Sequence, residues 1–153
     1  MTRTVILTLF VLTANITIAQ GFDFKLINKL TKMSFVSIDE FMIDGYGFKK
    51  FKNSDGESEN RTRTYAKYYN NDFKNIIVIK VISPKDKPNV IDINVKVSFN
   101  IRAIKDKLLE QGYEYNGSNK YGYVVYKKEK STYIIAKQPN DNGATHIMVF
   151  TEW

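Results

Sequence analysis

The sequence has no cysteine, a single histidine and only three prolines. Without cysteine the chain cannot form disulfides or a thiolate metal site, so its stability must come from packing. With one histidine, a zinc site would need mostly carboxylates, which suit calcium or magnesium better. Residues 53–60 are the densest in oxygen ligands, but they lack the regular spacing of a calcium-binding loop. We therefore expect no metal and no cofactor.

Motifs of common enzyme classes are also missing. No serine lies in a Gly-x-Ser-x-Gly context, and residues 45–48 lack the Lys-Ser/Thr ending of a phosphate-binding loop. The single histidine, His146, alternates with Met148 and Phe150, so we expect its side chain to face the core with theirs. Paired carboxylates for glycoside hydrolysis would have to come from separate elements, which sequence spacing cannot show. We predict that the protein is not an enzyme; the alternative is a hydrolase built from scattered carboxylates.

The first 20 residues, MTRTVILTLFVLTANITIAQ, carry one charge, at Arg3, followed by an apolar run and small residues. This pattern predicts a signal peptide at 1–19, cleaved after Ala19. The alternative is a transmembrane anchor, which needs about 20 strongly apolar residues, whereas threonine and asparagine interrupt this run. No cysteine follows the run, which argues against a lipoprotein anchor. We expect a periplasmic or secreted protein, and the lack of disulfides favours a bacterial one.

Positive charge is in excess. The formal net charge is +7, and loss of Arg3 with the leader leaves +6. A chain of 153 residues makes one domain or two very small ones. It buries about two thirds of its unfolded surface on folding, enough for a proper core.

Two similar phrases, "GYGFKKF" at 45–51 and "GYEYNGS" at 112–118, each follow a predicted helix. Aligning Gly45 with Gly112 also brings similar strand-like segments into register further along the chain. We predict tandem units of one helix and three strands within one compact domain. Each glycine is expected to end its helix, and the tyrosine after it to pack the turn into the first strand. The first unit covers 20–99, with an extra leading helix, and the second covers 100–153.

Local patterns predict the individual elements. Apolar residues at three-residue spacing in 23–33 indicate the leading helix. Ser37 to Glu40 fits a capping box that opens the next helix, and Asn100 is a candidate N-cap for the helix of the second unit. Residues 90–99 alternate apolar and polar side chains, as in a half-exposed antiparallel strand. The predicted fold class is α+β, an antiparallel sheet with helices on one face.

This alternation of helix and strands resembles, at the level of fold only, the tandem helix-plus-sheet repeats of the β-lactamase inhibitor protein class. The resemblance rests on repeated topology over most of the mature chain, without a diagnostic motif of that class. It implies an architecture and carries no functional residues to this chain.

Tyrosines and basic residues accompany each other on two predicted strands, one in each unit. If these strands lie side by side, their side chains form one positive and aromatic face. The alternative is that tyrosine suits strands and lysine keeps sheet surfaces soluble. The candidate binding residues are Tyr65, Tyr68, Tyr123, Tyr126, Arg63, Lys67, Lys127 and Lys128.

We therefore predict a binding protein, a protein-interaction module of inhibitor or immunity type. The tyrosines would anchor an acidic protein partner and the basic residues would steer it. The alternative is an envelope protein that binds an anionic glycan or lipid head group on the same face; salt should weaken that binding more strongly. Nucleic acid is not expected as a partner, and the mature chain is not expected to span a membrane.

Overall fold

A computed structural model describes residues 23–54, 60–68, 75–96 and 101–152, with the backbone alone for 52–54. The predicted signal peptide and the candidate cap Asn100 lie outside the described residues. The described chain is α+β, with three α-helices and one eight-stranded antiparallel sheet. The predicted α+β class and the antiparallel pairing are thereby confirmed.

Helical segments precede both runs of strands. Helix α1 spans Phe24–Lys32, and helix α3 spans Ile101–Glu110. Between α1 and the first strand, the chain forms a 3₁₀ turn at Phe35–Ser37, a short helix α2 at Ile38–Glu40 and a π-helical turn at Phe41–Gly45.

The order of strands across the sheet is β1-β2-β3-β4-β8-β7-β6-β5. All neighbours are antiparallel, and the middle of the sheet is a seam between β4 and β8. The strands are β1 Lys49–Ser54, β2 Asn60–Tyr68, β3 Ile76–Pro84, β4 Val90–Lys96, β5 Glu114–Ser118, β6 Tyr123–Lys128, β7 Ser131–Ala136 and β8 Ala144–Thr151.

The sheet has two more strands than the predicted six. The additional strands, β1 and β5, are the two edge strands, and the pairing of each is interrupted by a register shift. Their sequences, "KKFKNS" and "EYNGS", are polar and lack apolar alternation, as is common for strands at a sheet edge. The pattern that revealed the other strands is therefore missing from these two.

Alternate side chains divide the sheet into two faces. On what we call the core face, strand register aligns Ile79, Ile93, Ile147 and Ile135, each at most 1% exposed. Helix α1 contacts the central strands β4 and β8. What we call the outer face carries the intervening side chains, most of which are half-buried.

Helix α1 is fixed at both ends. The Asp23 carboxylate accepts hydrogen bonds from the backbone N–H groups of Lys25 and Leu26 at its N-terminus. At the other end the buried Asn89 side chain donates to the carbonyls of Leu30 and Met33 at 2.7 and 2.8 Å. The predicted leading helix is present, and these bonds satisfy backbone groups at its two ends.

The predicted capping box at Ser37 is wrong. Ser37 has helical dihedral angles, with φ −84° and ψ −5°, and its side chain makes no capping hydrogen bond. The preceding 3₁₀ turn already continues into α2, so the helix has no free N-terminus at this position for a side chain to cap.

The first helical segment ends at Gly45, as predicted, but the glycine that reverses the chain in the left-handed conformation is Gly47. Gly47 and Gly112 have φ of +68° and +81°, in the left-handed region, and Gly45 does not. Each is followed by a buried aromatic residue, Phe48 or Tyr113, whose N–H donates back to a carbonyl of the preceding helical segment. Matching Gly47, and not Gly45, with Gly112 shifts the alignment of the two phrases by two residues.

Candidate functional site

Strands β2 and β6, which carry the eight candidate binding residues, do not lie side by side. Each is second from one edge of the sheet, with β3, β4, β8 and β7 between them. At a spacing of about 4.8 Å per strand, they lie roughly 24 Å apart. The candidate residues therefore do not form one continuous face.

Five of the eight candidates lie on the core face, because strand pairing and alternation place them on the same side of the sheet as Ile79 and Ile135. Tyr65 and Tyr126 are 0% and 6% exposed, so their rings offer almost no surface to a partner. The five residues are Arg63, Tyr65, Lys67, Tyr126 and Lys128.

Tyr65 and Arg63 bind the Asp39 carboxylate of helix α2. The Tyr65 hydroxyl donates to Asp39 Oδ1 at 2.6 Å, and Lys50 Nζ donates to Oδ2 at 2.6 Å. The Arg63 guanidinium lies 3.4 Å from the same oxygen and also donates to the Phe35 carbonyl at 2.7 Å. These contacts attach the helical segment to strands β1 and β2.

The cluster also fixes protonation states. Burial alone would raise the pKa of the Asp39 carboxyl, but hydrogen bonds from Lys50 and Tyr65 and the charge of Arg63 outweigh it, and the pKa falls below 3.8. Burial, followed by the hydrogen bond to Asp39, raises the pKa of Tyr65. Tyr65 therefore stays a neutral donor to an ionised carboxylate, which is a structural role.

Lys67 and Lys128 contact the C-terminal ends of helical segments. Lys67 Nζ donates to the Tyr46 carbonyl at 2.7 Å, and Lys128 Nζ donates to the Gln111 carbonyl at 2.6 Å. A cation at the end of a helix satisfies a free carbonyl and interacts favourably with the helix dipole. The matching lysines of β2 and β6 therefore have a structural cause.

The other three candidates, Tyr68, Tyr123 and Lys127, lie on the outer face and are half-buried. Lys127 Nζ pairs with the Glu152 carboxylate at 2.9 Å. Tyr123 is part of a hydrogen-bonded chain that the sequence did not predict.

This hydrogen-bonded chain of side chains passes through His146. The prediction that the His146 side chain faces the core is wrong. In β8 the core residues are Ile147 and Val149, and His146 lies on the outer face with Met148. Both phases of this strand are apolar, so the alternation did not distinguish the two faces. The histidine side chain is 24% exposed.

The hydrogen-bonded chain joins strands β6, β8 and β4. The Tyr123 hydroxyl lies 3.2 Å from His146 Nδ1, and His146 Nε2 lies 3.0 Å from Asp92 Oδ1, which also accepts from Asn94 at 3.3 Å. For a neutral imidazole we assign the proton to Nε2, since the carboxylate can only accept. Nδ1 then accepts a hydrogen bond from the Tyr123 hydroxyl. The sequence could not reveal this chain, because it depends on long-range strand register.

A cavity of about 420 Å³ lies beside this chain, where β6, β7 and β8 meet their turns. The Asn119 side chain accepts from the N–H groups of Tyr121 and Tyr123, which shapes one turn of the rim. Asn140 accepts from the N–H groups of Asn142 and Ala144 in the other turn. The lining residues are Tyr121, Gly122, Tyr123, Ala136, Lys137, Gln138, Asn140, Ala144 and His146.

Within the described part of the chain, no group of three His, Cys, Asp or Glu side chains is placed to hold a metal ion. No helix among the described residues is long and apolar enough to cross a membrane. Comparison of the chain with protein-family models, curated proteins and solved structures gave no significant match.

Proposed function

We propose that the protein is a non-enzymatic protein-interaction module that acts in the periplasm or outside the cell, of the inhibitor or immunity type. Its outer sheet face binds an acidic protein partner. The observation that supports this proposal is the composition of that face, which combines half-buried apolar side chains with exposed lysines. The apolar members are Ile76, Val78, Ile82, Val90, Val125, Ile134, Met148 and Phe150.

The outer face is large enough for a specific interface. Eight strands spaced about 4.8 Å apart span roughly 35 Å, and six residues along a strand add about 20 Å. The resulting area of roughly 700 Å² approaches the share of one partner, about 800 Å², in a standard protein interface. Removal of the apolar side chains of this face from water by a partner would stabilise the complex.

Charge favours an acidic partner. Lys49, Lys80 and Lys96 lie on the outer face of the β1–β4 half of the sheet, and the first two are exposed. On the other half, Lys127 is paired with Glu152. Clustered lysines attract anionic surfaces over long range and raise association rates, while the apolar residues sustain the complex once it forms.

We also propose that the chain consists of two tandem helix-plus-sheet units whose helices share one face. The strand order is symmetric about the β4–β8 seam, and the turns at Gly47 and Gly112 have similar conformations. Each unit then has four strands. The resemblance to the β-lactamase inhibitor class stays at the level of fold and names no partner.

The interface is tested by capture from native envelope and secreted fractions with three baits, at low and moderate salt. The baits are the wild type, Lys80→Glu on the outer face and Lys25→Glu on the exposed side of α1. We expect an acidic protein that the wild type and Lys25→Glu retain in stoichiometric amount at moderate salt, and that Lys80→Glu loses. If no protein is captured, or if all three baits capture the same set, the outer face is not the interface.

A second candidate function is the binding of an anionic glycan or lipid head group. The observation that favours it is the cavity beside Tyr121, whose described lining residues include a lysine and two tyrosines and no aspartate or glutamate. Such a function would use one corner of the outer face.

A further inference from the structure

We infer that the cavity between Tyr121 and His146 binds a sugar ring that carries a carboxylate, a hexuronic acid unit of an anionic glycan. This inference rests on the second candidate function and names its ligand class. It does not depend on an acidic protein partner.

The cavity has the size and position of a small-ligand site. Its volume of about 420 Å³ falls in the range of about 300–1,000 Å³ that small-molecule sites occupy. It opens at the ends of β6 and β8, where the adjoining turns are exposed. A ligand bound there could continue into solvent as part of a longer chain.

Two aromatic rings line the cavity, and their exposure is informative. Tyr121 is 73% exposed and follows Lys120, whose Nζ lies 5.1 Å from the centre of its ring. Tyr123, two residues on, is half-buried against the edge of the His146 ring. Aromatic faces carry partial negative charge, so they attract the weakly positive C–H groups on the face of a sugar ring.

Hydrogen bonding at the site favours a ligand with hydroxyl groups. With the proton of the neutral imidazole on Nε2, as assigned above, the Tyr123 hydroxyl donates to His146 Nδ1 and its oxygen is left to accept a hydrogen bond. His146 Nε2 is likewise used by Asp92. A sugar hydroxyl supplies the donor that the Tyr123 oxygen lacks, whereas a simple carboxylate has no donor to offer.

The charge of the site favours an acidic sugar over a neutral one. Lys137 lines the cavity and is exposed, and among the residues that the structure describes no carboxylate belongs to the lining. A lysine ammonium forms charge-assisted hydrogen bonds with a carboxylate that are stronger than neutral ones. The amide side chains of Gln138 and Asn140 are further polar groups in the lining.

The turns that carry these residues are already ordered without a ligand. Asn119 and Asn140 each accept two backbone N–H groups at 3.0–3.1 Å. The Lys137 N–H donates to the Gly122 carbonyl at 2.9 Å, which holds the two turns together. Ligand binding therefore requires little additional ordering of the backbone.

The inference is tested by titrating the isotope-labelled chain with glucuronic acid, glucose and inorganic phosphate and following amide chemical shifts. We expect shifts centred on residues 121–123 and 136–146. Glucuronic acid should bind about tenfold more tightly than glucose, because only the acid offers a carboxylate to the Lys137 ammonium. Phosphate should bind more weakly than glucuronic acid.

Two variants and a matched control make the test specific. Tyr121→Ala should weaken both sugars at least tenfold, and Lys137→Gln should remove the preference for the acid. Tyr115→Ala, at a tyrosine that is 56% exposed on β5 and outside the cavity, should leave both affinities unchanged. Absent sugar binding, equal affinity for the two sugars in the wild type, phosphate binding as tight as glucuronate, or an unaffected Tyr121→Ala would each overturn the inference.

The same variants separate this inference from the protein-interaction proposal. Lys80→Glu lies outside the cavity and should keep glucuronate binding even where it loses the protein partner. Tyr121→Ala should keep the protein partner. One proposal can therefore fail while the other stands.

Discussion

The Asp39 carboxylate shows how one side chain can organise its surroundings. It receives a tyrosine hydroxyl, a lysine and an arginine from two strands, and its side chain is about one third exposed. Because hydrogen bonds to charged groups contribute more than neutral ones, we expect Asp39→Asn to lower the free energy of unfolding by about 1–2 kcal/mol at pH 7. Asp44→Asn, an exposed position in the π-helical turn, is the matched control and should have little effect.

This loss should depend on pH in a definite direction. The pKa of Asp39 is lower in the folded state than its ordinary value of 3.8, so ionised Asp39 stabilises the fold above that value. Its contribution disappears as pH falls through the lower, folded pKa. Denaturant titrations of wild type and Asp39→Asn should therefore differ fully at pH 5 to 7 and converge below 3.8. A difference that stayed constant down to pH 2 would contradict the proposed ion cluster.

Tyr126 and Tyr68 should respond differently to truncation. Tyr126 is 6% exposed and contacts Tyr115 at a ring-centre distance of 5.8 Å, so its replacement by alanine leaves a core cavity. We expect Tyr126→Ala to cost about 3 kcal/mol or more, measured by thermal unfolding. Tyr68 is half-buried on the outer face, and Tyr68→Ala should cost about 1 kcal/mol. Equal losses at both positions would show that the outer face is as tightly packed as the core.

At the level of elements, the turns after the helical segments can be tested through their glycines. Gly47→Ala and Gly112→Ala force an L side chain into the left-handed region and should each destabilise by about 1–2 kcal/mol. Gly45→Ala is the matched control, since its φ is not positive and its new Cβ would meet the Phe41 ring at 4.0 Å, an ordinary contact. It should be neutral within about 0.5 kcal/mol. If Gly45→Ala were the most damaging of the three, the reversal of the chain would depend on Gly45 and not on Gly47.

Elements with a strong hydrophobic period could be predicted from sequence, and others could not. Helix α3 buries Ile104 and Leu108 as its spacing indicates, and β4 alternates buried and half-buried residues throughout. The polar edge strands lack such a period. Strand β8 is apolar in both phases, so nothing local fixed the direction of His146. The sequence therefore predicted Tyr123 as a candidate binding residue but did not predict its contact with His146.

The roles of the strand lysines were also not predictable from sequence. Lys67 and Lys128 lie close to tyrosines in the sequence, a pattern typical of a binding surface, yet they contact carbonyl groups at the ends of helical segments. Whether a lysine on a strand faces a helix terminus or solvent depends on strand order. That order is determined by the long-range pairing of β4 with β8, which no local pattern encodes.

For the whole molecule, the seam between β4 and β8 predicts cooperative unfolding. Ile93 and Ile147 face each other across it, both 0% exposed, and α1 contacts both strands. We expect one thermal transition, with calorimetric and van't Hoff enthalpies in agreement. Ile147→Ala should lower the free energy of unfolding by about 2–5 kcal/mol and leave a single transition. Two separate transitions would indicate that the β1–β4 and β5–β8 halves are independent domains.

The seam also determines the order in which the sheet can be completed during synthesis. Strand β4 pairs with β3 soon after both have been made, but its other side stays open until residues 144–151 exist. During that interval a nascent chain presents unpaired backbone groups next to Ile91, Ile93 and Val95, a combination that promotes association between chains. The closing step is a non-local pairing and therefore slow. A chain truncated before β8 would keep this edge of β4 unpaired permanently, so we expect it to associate with other chains.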